Sequence, residues 1–150
     1  MFASSAVACA LARPASPSPD PVPAVAPRDV ILLVEDDDMV AMLLTQVLER
    51  IAWRVIRAGD GAESERLMVE HRAAIALALV DCGLPDTEGG ELCARFRRTR
   101  PGLPVLLTSG GEYSAVVRRL ATDGPAAFLA KPFMPGDVMR SVQSLVACAA

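Results

Sequence analysis

Four short apolar runs punctuate this chain, and each stops abruptly at a polar residue able to do chemistry. Val30–Val34 runs into Glu35, Asp36 and Asp37, and Ile75–Val80 runs into Asp81. Val105–Thr108 runs into Ser109, and Ala127–Ala130 runs into Lys131 and Pro132. Runs this short and this apolar predict strands buried on both faces, as in a parallel sheet. Between them the period changes. Val40, Leu43, Leu44, Val47, Leu48 and Ile51 recur at helical spacing, which predicts an amphipathic helix over Met39–Arg50 that Asp37 or Asp38 can cap. Trp53–Arg57 reads as a further short strand, closed by the turn Gly59-Asp60-Gly61. Helices are expected over Ala62–Glu70, Gly90–Arg98 and Tyr113–Ala121, and from Asp137 through Val146. Strand and helix thus alternate five times. Right-handed crossovers then leave few arrangements other than a doubly wound α/β parallel sheet with helices on both faces.

In such a sheet all the carboxyl ends point the same way, and ligands bind in the crevice there. Glu35, Asp36, Asp81, Ser109 and Lys131 should therefore meet at one edge. Carboxylates about 4 Å apart repel by roughly 4 kcal/mol per pair at an effective dielectric near 20, so the acids need a cation. Oxygen-only ligands favour Mg²⁺, which keeps waters and phosphate oxygens as its other ligands. A carboxylate beside Mg²⁺ can attack a phosphoryl group and form an acyl phosphate. Lys131 supplies an ammonium for the equatorial oxygens and Ser109 a hydroxyl donor.

Composition narrows the function classes. The 150 residues suit one stable domain. Hydrophobic residues make up 52%, yet no apolar stretch reaches the roughly 18 residues of a membrane span. A formal net charge of −3 argues against a dedicated nucleic-acid binder. Arg95, Arg97, Arg98 and Arg100 read as a solvated helix face. Cys9, Cys82, Cys93 and Cys148 form no C-x-x-C pair, which makes a structural metal site unexpected and a reducing cytosol the default. His71 reads as a solvent-facing helix end, and Cys82 as a packing residue. Residues 1–28 hold six of the 12 prolines among Ala and Ser. They read as a disordered tail ahead of a domain over 29–150. The apolar stretch Ala6–Ala12 lacks the basic start of a secretory signal.

The segments VILLVEDDD, LVDCGLPDTEGG, LPVLLTSG and FLAKPF together resemble the receiver domain of two-component response regulators, over about Asp29–Ala147. The resemblance implies a flavodoxin-like (βα)5 fold with strand order 2-1-3-4-5, an order that serves as a standard example of this topology. It implies Asp81 as phosphoacceptor and Asp36 as a direct ligand of Mg²⁺, with Mn²⁺ as a substitute. Glu35 would act on the metal largely through water, and the carbonyl of Gly83 would be a further ligand. Ser109 takes the place of the switch hydroxyl, Thr108 standing one position early. Lys131 matches the phosphate-pairing lysine, with a cis Lys131-Pro132 bond, and Phe128 the aromatic whose rotamer follows the switch. The implied partners are a sensor histidine kinase or phosphotransfer protein and a downstream protein target.

The first acidic site carries Glu where Asp is common, which lengthens the arm but keeps the charge. Gly83 and Gly111 leave small residues beside the acceptor and the switch, so water is expected to reach the acyl phosphate readily. With nothing after Ala150, the expected output is a protein contact through the helix at Tyr113–Ala121, the AFLA strand and the final helix, or service as a phosphate reservoir. Such a protein is a phosphoacceptor in the cytoplasm and not a turnover enzyme. Two rivals differ on particular residues. A haloacid-dehalogenase-type phosphatase needs a second Asp where Gly83 stands. A phosphorylation-independent binding module normally lacks one of the residues present here.

Overall fold

A computed structural model describes residues 28–149. The elements run β1 (Val30–Val34), α1 (Asp38–Arg50), β2 (Arg54–Ala58), α2 (Gly61–His71), β3 (Ile75–Asp81), α3 (Gly89–Thr99), β4 (Val105–Ser109), α4 (Ser114–Leu120), β5 (Ala126–Ala130) and α5 (Pro135–Ala149). All ten expected elements form, with no end moved by more than three residues. The proposed tail, with its stretch Ala6–Ala12, lies outside the described residues apart from Arg28. No described helix is long and apolar enough to cross a membrane.

The five strands pair in parallel in the order β2-β1-β3-β4-β5. Alternate residues of each strand feed two separate cores. Val30, Leu32, Val34, Ala78, Val80, Val105 and Leu107 pack with Met68 of α2, Leu92 and Phe96 of α3 and Leu120 of α4. Ile31, Leu33, Leu77, Leu79 and Leu106 pack on the other face with Leu44, Val47 and Leu48 of α1 and Val138, Val142 and Leu145 of α5. A strand covered on both faces needs no polar alternation, which is why β1, β3 and β4 read as unbroken apolar runs. β5 departs from that expectation. It is an edge strand whose residues are only half-buried, because no strand pairs beyond it and short α4 covers one side incompletely.

Strand order reverses between β1 and β3, so their crossovers leave toward opposite faces and open a crevice at their carboxyl ends. Register then sets the level of each side chain. Val34 pairs with Val80, Asp81 with Thr108, Thr108 with Leu129, and Ser109 with Ala130. The polar residue that ends each strand therefore stands at nearly the same height.

The loops around that edge are tied down by carboxylates at helix starts. Asp37 caps α1, accepting from the amides of Met39 at 2.9 Å and Val40 at 3.2 Å. Asp60 caps α2, and Glu88 caps α3 through Gly90 and Glu91. Asp86, in the loop after β3, accepts from Gly61 at 2.8 Å and Ala62 at 3.1 Å, which pins that loop to α2. Gly89 allows α3 to start against the acceptor strand. A Cβ there would lie 2.9 Å from the Cys82 Cα, a distance no side chain tolerates.

The arginine row of α3 is not the solvated face its charge suggests. Arg97 is buried, donating to the carbonyls of Leu103 at 3.1 Å, Pro125 at 2.8 Å and Leu120. Arg95 bonds Glu65 and Thr87. The cause is position: Arg97 follows Phe96 on the inner side of α3, where the carbonyls of Leu103, Leu120 and Pro125 converge.

Candidate functional site

Glu35, Asp36 and Asp81 each bring a carboxylate oxygen to one place at the carboxyl ends of β1 and β3, all within 4.8 Å of one another. At that spacing each charged pair repels by about 3–4 kcal/mol at an effective dielectric of 20. One ammonium offsets them. Lys131 Nζ lies 3.2 Å from Asp81 Oδ1 and 3.5 Å from Glu35 Oε2. Lys131 follows β5, and its amide donates to the Ser109 carbonyl at 2.8 Å. That bond continues the ladder past the strand end, and the cis Lys131-Pro132 peptide follows it. To reach Asp81 the lysine must cross the end of β4, which lies between the two strands.

Charge and burial fit a cation site. Glu35 is 1% exposed and Asp81 7%. Glu35 Oε1 accepts from the Asp37 amide at 3.1 Å, but Oε2 is buried with no hydrogen bond. Burial raises the Glu35 carboxyl above its ordinary value of 4.5, and the Asp81 charge adds to this against the Asp37 amide and Lys131. Burial alone would lower Lys131, but Glu35 and Asp81 outweigh it and the ammonium is held above its ordinary value. Three carboxylates, one of them with a buried oxygen that accepts no hydrogen bond, suit a hard divalent cation such as Mg²⁺.

A raised Glu35 makes cation binding a competition with a proton. Without the cation, the folded state holds that proton more tightly than the unfolded chain, so this contribution to stability fades as pH rises through the raised value. Apparent Mg²⁺ affinity is expected to weaken as pH falls from neutral to about pH 5, above the range where free carboxylates titrate. Calorimetric titration at several pH values measures it, and an affinity that stays flat over that interval would count against the coupling.

Asp37 and Asp38, part of the same acidic run, serve other ends. Asp37 is committed to the α1 cap, and Asp38 pairs with Arg57 at 2.7 Å. Arg57 also donates to the Glu35 carbonyl through Nε and Nη2, which steadies the backbone that carries the acids. Asp81 Oδ1 accepts from the Gly83 amide at 3.3 Å, so both its contacts fall on one oxygen. Ser109 is buried, and its Oγ accepts from the Gly111 amide at 3.0 Å. Thr108, the register partner of Asp81, has a buried hydroxyl with no partner. Cys82 is buried, and burial followed by the charges of Glu88 and Asp81 pushes its thiol up to about 12, as suits a packing residue.

On the face of the sheet that also carries Cys82, Phe128 stacks against Tyr113 with ring centroids 6.1 Å apart. Tyr113, Arg57 and Asp86 escaped the sequence reading. Nothing in their local pattern marks them, since each acts across two elements distant in sequence.

The sequence profile of the response regulator receiver domain matches residues 31–143. The chain belongs to the response regulator receiver family. Over 116 residues, 77% of its length, this receiver domain is 30% identical to the transcriptional regulatory protein SrrA of Staphylococcus aureus. Over an equal span it is 29% identical to the sensor kinase CckA of Brucella abortus. It spans 47% and 12% of those two relatives' lengths. Among solved structures, the CheY-like receiver domain protein of Methanospirillum hungatei JF-1 is 28% identical, with a TM-score of 0.70 over 81% of this chain and 95% of that one. The receiver domain of the hybrid histidine kinase CckA is 26% identical, with a TM-score of 0.65 over 78% of this chain and 98% of that one.

Proposed function

We propose that Asp81 accepts a phosphoryl group from a phosphohistidine on a sensor histidine kinase or phosphotransfer protein, in a phosphorelay that depends on Mg²⁺ or Mn²⁺. The observation that carries this is the meeting of three carboxylates within 4.8 Å at the β1–β3 crevice, with Lys131 3.2 Å from the one that ends β3. Asp36, Asp81 and the Gly83 carbonyl would hold the metal directly, and Glu35 largely through water. When bound, the cation neutralises charge on the transferring phosphoryl oxygens. The residues do the rest. Asp81 Oδ2, outside the contacts on Oδ1, attacks phosphorus. The P–N bond breaks, its electron pair returns to the imidazole, and the acyl phosphate's new charge faces Lys131.

Ser109 then turns its hydroxyl toward a phosphoryl oxygen, and Phe128 follows into the space it leaves. Taking the active arrangement from rare to dominant requires about 5.5 kcal/mol of differential binding. A charge-assisted hydrogen bond to Ser109 and an ion pair with Lys131 are interactions of the kind that supply it. The α4, β5 and α5 surface would carry the change to a downstream protein in the cytoplasm, or the chain would store phosphate. No nucleic-acid or membrane contact is required.

Incubation of the protein with Mg²⁺ and acetyl phosphate, followed by intact mass measurement, tests the reading. One added phosphoryl group that disappears with a chelator is expected. No adduct would favour a binding module that works without phosphorylation.

Two glycines are expected to shorten the life of that adduct. A Cβ on Gly83 would stand 3.7 Å from Asp81 Oδ2, and one on Gly111 3.6 Å from Ser109 Oγ, ordinary contacts with room for a side chain. Replacing both by leucine should screen the acyl phosphate from water and lengthen its half-life several-fold. A half-life unchanged in the double variant would show that water enters by another route.

A further inference from the structure

α3 and α4 lie side by side and touch near their N-terminal ends. A Cβ on Gly90 would lie 2.5 Å from Val116 Cγ1, so only a glycine lets α4 close on α3 there. Toward the C-terminal ends, Ala94 and Arg98 continue the Gly90 line of α3 at four-residue spacing, and Arg119 continues the Val116 line of α4. Between the two lines runs a groove of about 430 Å³, lined by Ala94, Arg95, Arg98 and Arg119. It continues past Ala94 and Arg98 as far as Asp123.

The charges in this groove are not used by the fold. Arg98 and Arg119 are exposed, and among the described residues neither guanidinium makes an ion pair or a hydrogen bond, whereas Arg54, Arg57, Arg66, Arg95 and Arg140 all have carboxylate partners. Arg95 is fixed at the rim by Glu65 at 2.8 Å and Thr87 at 2.9 Å. The carboxylates that line the groove stand at its two ends, Glu91 in the first turn of α3 and Asp123 beyond α4.

We propose that the α3–α4 groove is a docking site for a short acidic segment of a partner protein, whose carboxylates are taken by Arg98 and Arg119. The planar fork of arginine suits paired bonds to carboxylate oxygens. A nucleic acid fits less well, because its charge runs on in both directions and would meet Glu91 and Asp123, in a chain whose net charge is already −3. A short acidic run fits between those two. The site uses the flank of α4 that faces α3 and stands apart from the phosphoacceptor crevice, so it does not depend on the phosphoacceptor reading.

Fluorescently labelled hexaglutamate is the probe, read by anisotropy against the whole chain at low ionic strength. Arg98→Gln and Arg119→Gln are each expected to weaken binding about five-fold, and the two together more than about ten-fold. Both side chains are exposed and unbonded, so the melting temperature of the double variant should stay within about 2 °C of the wild type. Arg54→Gln with Arg66→Gln removes the same charge elsewhere on the surface and should leave the affinity within about two-fold. An equal loss in that control pair would show attraction to the whole protein and overturn the site. Hexaglutamate that fails to bind the wild type would overturn it as well. A six-residue oligothymidylate that binds more tightly than hexaglutamate would give the groove to nucleic acid, and a dimer that dissociates in the Arg98→Gln, Arg119→Gln variant would give it to a second copy of this chain; either result overturns the proposal.

Discussion

Asp81→Asn is expected to take up phosphoryl from acetyl phosphate at least on the order of 10²-fold more slowly than the wild type, because an amide is not a nucleophile. The same substitution should change stability in two opposite directions. Asp81 lies among two other carboxylates within 4.8 Å and against one ammonium at 3.2 Å, so removing its charge relieves more repulsion than it loses attraction. Metal-free Asp81→Asn should therefore melt above the metal-free wild type. Saturating Mg²⁺ should then raise the wild type by more than the variant, since a ligand stabilises in proportion to its affinity for the folded state. Thermal melts of both proteins with and without Mg²⁺ read the two effects together. An Asn variant that melts lower without metal, and gains as much from it as the wild type, would remove Asp81 from the cation site.

Arg97→Met is expected to destabilise the fold strongly although it lies outside the site. The guanidinium fork bonds carbonyls of the α3–β4 loop, the end of α4 and the α4–β5 loop, and so ties three segments together. Gly124 keeps that approach open, since a Cβ there would lie 3.2 Å from Arg97 Nη2 and its φ is +153°. Methionine fills a similar volume but removes three hydrogen bonds and leaves the Leu103 carbonyl without a partner, while the Pro125 carbonyl keeps the Val105 amide and the Leu120 carbonyl the Asp123 amide. At about 1 kcal/mol for each, the loss is roughly 3 kcal/mol, a large share of the 5–15 kcal/mol a domain has. The melting temperature should fall by about 10 °C. Arg97→Lys should recover less than half of this, because a single ammonium does not span three carbonyls. A fall of under about 3 °C in the methionine variant would show that water replaces the guanidinium without penalty.

How much of this was readable beforehand varies from residue to residue. β1, β3 and β4 were plain because strands covered on both faces tolerate nothing polar, and Glu35, Asp81 and Ser109 were plain because each ends such a run. Asp37 was one of two candidate caps, and only the amide geometry of α1 chose it over Asp38. β5 misled, since its residues are as apolar as those of a central strand although it lies at the edge. The arginines of α3 misled for a deeper reason. Charge and helical spacing describe Arg97 and Arg98 alike, and only the place where three loops converge separates them.

By itself the sequence determined the alternation of elements and the chemical groups at the strand ends, because burial and periodicity are local properties of a chain. The pairing of Lys131 with Asp81, the Glu35 oxygen that accepts no hydrogen bond, the clamp at Arg97 and the stack of Tyr113 on Phe128 were decided only by tertiary structure. Each depends on elements that sheet order and register bring together, which no single segment encodes.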